Sequence, residues 1–100
     1  MTPDKLQTDL KIARLLYKKA AINKQGEIWK NEYPEDEPFN PLAPAVTVAL
    51  MEVIDMNVYC RKGMHTAHGF TKDENDELHT THAETINEAV YNCVARIVEG

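Results

Sequence analysis

Apolar residues recur at helical spacing in three stretches of the chain. Leu6, Leu10, Ala13, Leu16, Tyr17, Ala20 and Ala21 return every three or four residues and form one stripe. Thr2-Pro3 suits the start of a helix, with Thr as N-cap and Pro at the first helical position, and Gly26 suits its end. This pattern predicts a first helix over 3–25. Ile12, Leu15 and Ile22 lie largely off the stripe and make a second apolar strip that one core contact does not explain.

The second stretch begins after Asn40-Pro41 and Pro44-Ala45 and stops at Gly63. Its apolar residues, from Val46 to Cys60, cover almost the whole circumference of a helix predicted over 44–62. Such a helix is buried nearly all round, more than two partner helices in a chain of this length can enclose. The β-branched residues also fit a strand for part of the run, but about 19 residues is long for one strand.

The third stretch has the cleanest stripe: Ala83, Ile86, Ala89, Val90, Cys93, Val94 and Ile97. Thr81-His82-Ala83-Glu84 matches a capping box, Thr at N-cap and Glu at N3. A third helix is predicted over 82–98.

Between the first two helices, residues 32–44 hold Pro34, Pro38, Pro41 and Pro44 with Glu32, Glu35, Asp36 and Glu37 among them. Proline removes a backbone donor and disfavours helix in the residue before it. The segment reads as a long ordered loop anchored by Tyr33 and Phe39. The expected architecture is therefore all-α: a single domain over 1–100, built as a small bundle of three main helices.

Length and composition bound the function. One hundred residues make one domain with little room for a deep cleft. No apolar run approaches the roughly 20 residues that span a bilayer, and the start of the chain has no apolar signal core, so the expected location is cytoplasmic. Cys60 and Cys93 are too few for a disulfide framework and read as reduced thiols on apolar faces.

Charge divides the chain. The net charge is −5, yet residues 1–30 carry seven basic groups against three acids, and the rest carries four against thirteen. Such a dipolar chain steers charged partners, while the acidic balance argues against direct binding of nucleic acid.

Five clusters are candidates for chemistry. His65-Thr66-Ala67-His68 and His79-Thr80-Thr81-His82 hold every histidine of the chain. At that spacing His65 and His68, and His79 and His82, can share a helical face and bind zinc, with Cys60 upstream. Lys11, Arg14 and Lys18 follow one side of the first helix and offer a phosphate or acidic surface a common anchor. The acidic loop with its aromatics, Trp29, Tyr33, Glu35, Asp36, Glu37 and Phe39, is the candidate partner-binding site. Asp73-x-Asn75-x-Glu77 imitates a calcium loop but has Leu78 where the turn requires glycine. Glu52 and Asp55, three apart in the apolar run, suit a structural ion pair better than a catalytic one.

No phosphate-cradling glycine loop and no nucleophile with a neighbouring base is present. The sequence therefore points away from an enzyme. It favours a small interaction protein: an inhibitor or antagonist of a basic nucleic-acid-handling protein or complex, of the immunity-protein or phage anti-defence and anti-CRISPR type. A homo-oligomer is expected from the surplus apolar surface. The alternative is a metal-linked, nucleotide-binding or phosphate-binding regulator.

Overall fold

The computed structural model describes residues 4–31, 36–70 and 78–99. It is an α+β fold, and the all-α bundle expected from periodicity is wrong. The order is α1 (Asp4–Leu16), β1 (Ala21–Ile22), β2 (Ile28–Trp29), α2 (Pro44–Val53), β3 (Met56–Arg61), β4 (Met64–Phe70), β5 (Leu78–Ala83) and α3 (Ile86–Glu99).

Each predicted helix is shortened, for a local reason. The first ends at Leu16 rather than 25. There the Arg14 side chain donates from Nε to the Ala20 carbonyl at 3.1 Å, folding the next residues back. Gly26, expected as a helix cap, sits at φ +80 in the turn between β1 and β2. In that turn Asn23 accepts the backbone N–H groups of Gln25 and Glu27 through its side-chain oxygen, at 2.9 Å each. Asn and Gly stabilise turns by these routes, which single-face helix counting does not weigh.

The second predicted helix divides in two. α2 stops at Val53, and the next residue, Ile54, has extended backbone. From Met56 the same apolar residues change from helical spacing to alternation. Lys62 and Gly63 both have positive φ, 53° and 78°, and join Arg61 to Met64 as a two-residue hairpin turn. Gly63 therefore ends a strand, not a helix. The apolar run behind the expectation of an oligomer belongs to two elements, and part of it, Val48, Val53 and Tyr59, is exposed.

The third predicted helix starts four residues late. Thr81, His82 and Ala83 close β5. The capping box is Thr85-Ile86-Asn87-Glu88, in which the Thr85 hydroxyl accepts the Glu88 N–H at 3.2 Å.

Two sheets result. β1 and β2 form a short antiparallel hairpin, extended by a bridge from Trp29 to Pro38. β3, β4 and β5 form an antiparallel meander with β4 in the centre.

α3 lies between the meander and the other helices. Ala89 and Cys93 pack with Ala67 of β4, and all three are fully buried. Val90 and Val94, one position on, enter the larger cluster with Leu10, Ile12, Ala13, Val46, Leu50 and Ile54. Ile12, which lay off the stripe of α1, is fully buried there.

α3 lies close on the sheet at Gly69. A Cβ at that position would stand 2.9 Å from Cys93 Sγ and 3.0 Å from Ile97 Cδ1. The Thr81 hydroxyl donates to the Ala89 carbonyl at 2.7 Å and fixes the other side of the contact.

No described helix is long and apolar enough to cross a membrane.

Candidate functional site

Strand alternation sorts the meander into two faces. Met56, Val58, Ala67, Gly69, Thr81 and Ala83 face α3. The opposite face carries Asn57, Tyr59 and Arg61 from β3, Met64, Thr66 and His68 from β4, and Leu78, Thr80 and His82 from β5. Among the described residues no helix packs on that second face.

Its side chains are tied to each other. His68 Nδ1 lies 2.9 Å from Thr80 Oγ1, and its Nε2 lies 3.2 Å from the Tyr59 hydroxyl. The Tyr59 and His68 rings stack with centroids 5.4 Å apart. Beside them His82 Nδ1 lies 2.8 Å from Thr66 Oγ1. Each hydroxyl can donate or accept, so either imidazole tautomer is satisfied. Three large apolar side chains of this face stay open to solvent: Tyr59 at 50%, Met64 at 44% and Leu78 at 49%.

The hairpin turn also fixes the backbone. A two-residue turn is closed by a hydrogen-bonded pair, here Arg61 and Met64. Bonding alternates along an antiparallel pair, so Met64, Thr66 and His68 bond to β3 while His65, Ala67 and Gly69 bond to β5. On β5 the partners of the latter are Ala83, Thr81 and His79. Leu78, Thr80 and His82 therefore point their backbone groups away from the sheet.

The Thr80 carbonyl confirms this direction, because it accepts Arg96 Nη1 of α3 at 3.1 Å. Along this free edge runs a cleft of about 470 Å³, lined by Thr80, Thr81, His82, Asn92, Ala95 and Arg96.

The structure disperses most of the residues singled out in the sequence. The histidines are on strands, not on a helix. His65 and His68 fall on opposite faces of β4, and His79 and His82 on opposite faces of β5. Among the described residues no three or more His, Cys, Asp or Glu side chains are grouped to hold a metal. The zinc reading needed a shared helical face, and strand alternation removes it.

Phe39 is buried and meets Tyr17 edge-on at 6.2 Å, so it is a core residue rather than an exposed anchor. Trp29 is half-buried, with Nε1 buried and without a hydrogen-bond partner among the described residues. Tyr33 and Glu35 lie outside the described residues.

Asp36 accepts the Asn31 N–H at 3.1 Å, and Glu37 pairs with Lys30 at 2.6 Å. Both carboxylates remain exposed. Lys30 is buried beneath that pair and lies over the Tyr17 ring. The Glu37 carboxylate raises the Lys30 ammonium above the usual lysine range, with burial opposing it. Of the basic set, Lys11 and Lys18 are exposed, but Lys18 lies beyond the end of α1 and Arg14 is engaged with Ala20. The three do not form one helical stripe.

Sequence reasoning missed Tyr59, Thr66, Thr80, Asn92 and Arg96. The signal for the first three was the polar alternation over 57–61, 64–70 and 78–82, which the helical interpretation of the first run obscured.

No protein-family model matches the chain, and no curated protein or solved structure is significantly similar to it.

Proposed function

We propose that this chain is a small non-enzymatic protein-binding module that acts in the cytoplasm through the helix-free face of the β3–β4–β5 sheet. The observation that carries the proposal is the exposure of Tyr59, Met64 and Leu78 around side chains already locked by hydrogen bonds. Tyr59, held by His68 before contact, loses little freedom on binding, and aromatic anchors dominate interface energies. A flat sheet face suits a protein surface better than a reaction, because it has no walls to exclude water.

The class of partner follows from charge. With a net charge of −5 and most acids after residue 30, the chain favours a basic protein. Antagonism of a nucleic-acid-handling machine is the function this supports best. The exposed Asp36 and Glu37 assist the encounter, and the sheet face supplies the affinity.

The test is affinity capture from the native cell, comparing the unaltered chain with Tyr59→Ala and with the double charge reversal Asp36→Lys, Glu37→Lys. A captured protein that is retained by neither variant, or that binds the charge-reversed chain with a weaker salt dependence, supports the reading. Capture that ignores Tyr59 removes the sheet face from it.

A further inference from the structure

The free edge of β5 has the chemistry to take another strand, and its side chains specify which kind. Thr80 and His82 present N–H groups outward, and one outward carbonyl, that of Thr80, is taken by Arg96. That bond holds the guanidinium in the cleft, and among the described residues its remaining donors have no further partner. The Asn92 carboxamide, four residues before Arg96 on the same helix face, has no hydrogen-bond partner among the described residues. His82 is exposed and has Nδ1 occupied by Thr66, which leaves Nε2 open. Among the described residues no carboxylate lines the cleft. Glu99, one turn beyond Arg96, accepts the Thr8 hydroxyl.

The Arg96 guanidinium, held beside a strand edge with no partner strand among the described residues, complements a carboxylate-bearing extended peptide locally, against the repulsion of the chain's net charge of −5. A second copy of this chain fits less well. Two-fold pairing of β5 with β5 would set Arg96 against Arg96, and like charges facing each other disfavour that arrangement.

We propose that β5 is a docking edge for an extended acidic peptide segment of another protein, added antiparallel, with its carboxylates on the α3 side against Arg96 and Asn92. The bonding residues of an antiparallel neighbour lie directly opposite those of β5 and share their face. The outward-bonding residues of β5 have side chains on the helix-free face. The peptide residues that bond to β5 must therefore also point to that face, and the carboxylates belong to the residues between them. This site is distinct from the sheet face proposed above and does not rest on it.

The experiment titrates the isotope-labelled chain with a capped hexapeptide of alternating Val and Glu and follows backbone amide shifts. The expected result is saturable binding, with the largest shifts at Thr80, His82 and Arg96. Replacing Glu by Lys in the peptide, or Arg96→Gln in the protein, should each weaken binding about tenfold, the usual weight of one charge-assisted bond. Arg96→Lys should fall between, and the melting temperature of each variant shows that it is folded. N-methylation of the Val amides should abolish binding, while N-methylation of the Glu amides should leave most of it. Absence of binding at about millimolar peptide, equal binding of the Lys peptide, equal loss from both methylated peptides, or self-association of the chain through β5 would each overturn the proposal.

Discussion

The Tyr91 hydroxyl of α3 donates to the Asp9 carboxylate of α1 at 2.5 Å, joining residues 82 positions apart. Asp9 is buried at 8% exposure and also lies 3.8 Å from Lys5. Burial, then the hydrogen bond and charge of Asp9, push the Tyr91 phenol well above the ordinary tyrosine range. Tyr91→Phe leaves the buried carboxylate short of a donor and should cost about 1–3 kcal/mol.

The pH dependence has a definite sign. A phenol whose folded pKa is raised stabilises the fold fully below its unfolded value of about 10 and progressively less above it. Urea midpoints taken between about pH 8 and 11 should fall at the alkaline end, and less steeply in Tyr91→Phe. A variant with the unaltered slope would show that Tyr91 does not carry this dependence.

Gly69 admits no side chain beneath α3. Gly69→Ala places a methyl group against Cys93 Sγ and Ile97 Cδ1 and should destabilise by about 1–3 kcal/mol. Cys93→Ala removes the nearer obstacle. The double variant should therefore lose less than the two single losses added together, and a double-mutant cycle measures the coupling. Strict additivity would mean that the helix shifts rather than clashes.

The two thiols should differ in reactivity. Cys60 is exposed on the edge strand β3, while Cys93 is buried and donates to the His79 carbonyl at 3.4 Å. Burial raises the Cys93 thiol above the usual range, and the thiol form is a poor nucleophile. Iodoacetamide at neutral pH should label Cys60 alone, with Cys93 labelled only in denaturant. Mass spectrometry of the intact chain counts the adducts, and two of them under native conditions would contradict the burial of Cys93.

Lys30 and Glu37 should respond unequally to replacement. Glu37→Gln leaves a buried ammonium without its counter-charge and should cost about 1 kcal/mol, modest because Glu37 is 57% exposed. Lys30→Met removes the buried charge and retains most of the packing, and should cost less. The raised folded pKa of Lys30 means that the pair stabilises below about pH 10 and that this contribution fades as pH rises further. Comparing melting curves at pH 7 and 10.5 would show whether the Glu37→Gln loss shrinks.

The sequence located the apolar segments well and the secondary structure only in part. The stripe over 86–97 was legible because Ala89, Val90, Cys93 and Val94 all enter the core at helical spacing. The start of that helix was ambiguous. Thr81-x-x-Glu84 and Thr85-x-x-Glu88 satisfy the same capping rule, and pairing of Thr81 with Ala67 across β4 and β5 decides between them. The run from 44 to 62 failed for a related reason. An apolar stretch without gaps fits a helix, a strand or one followed by the other. What separates them is the hairpin at Lys62-Gly63, and its worth depends on a third strand that begins only at Leu78.

The candidate site was harder still to read. His68 meets Tyr59 and Thr80 only because two registers align them, and neither register is encoded by spacing within one strand. The acidic loop was visible as a charge cluster, but its closure onto Lys30 and Asn31 needed the β2 hairpin.

Because α3 contributes fully buried residues to both apolar clusters, neither cluster is complete until a ribosome has delivered residues 86–99. During synthesis the finished hairpins and the first two helices wait with their oily sides uncovered.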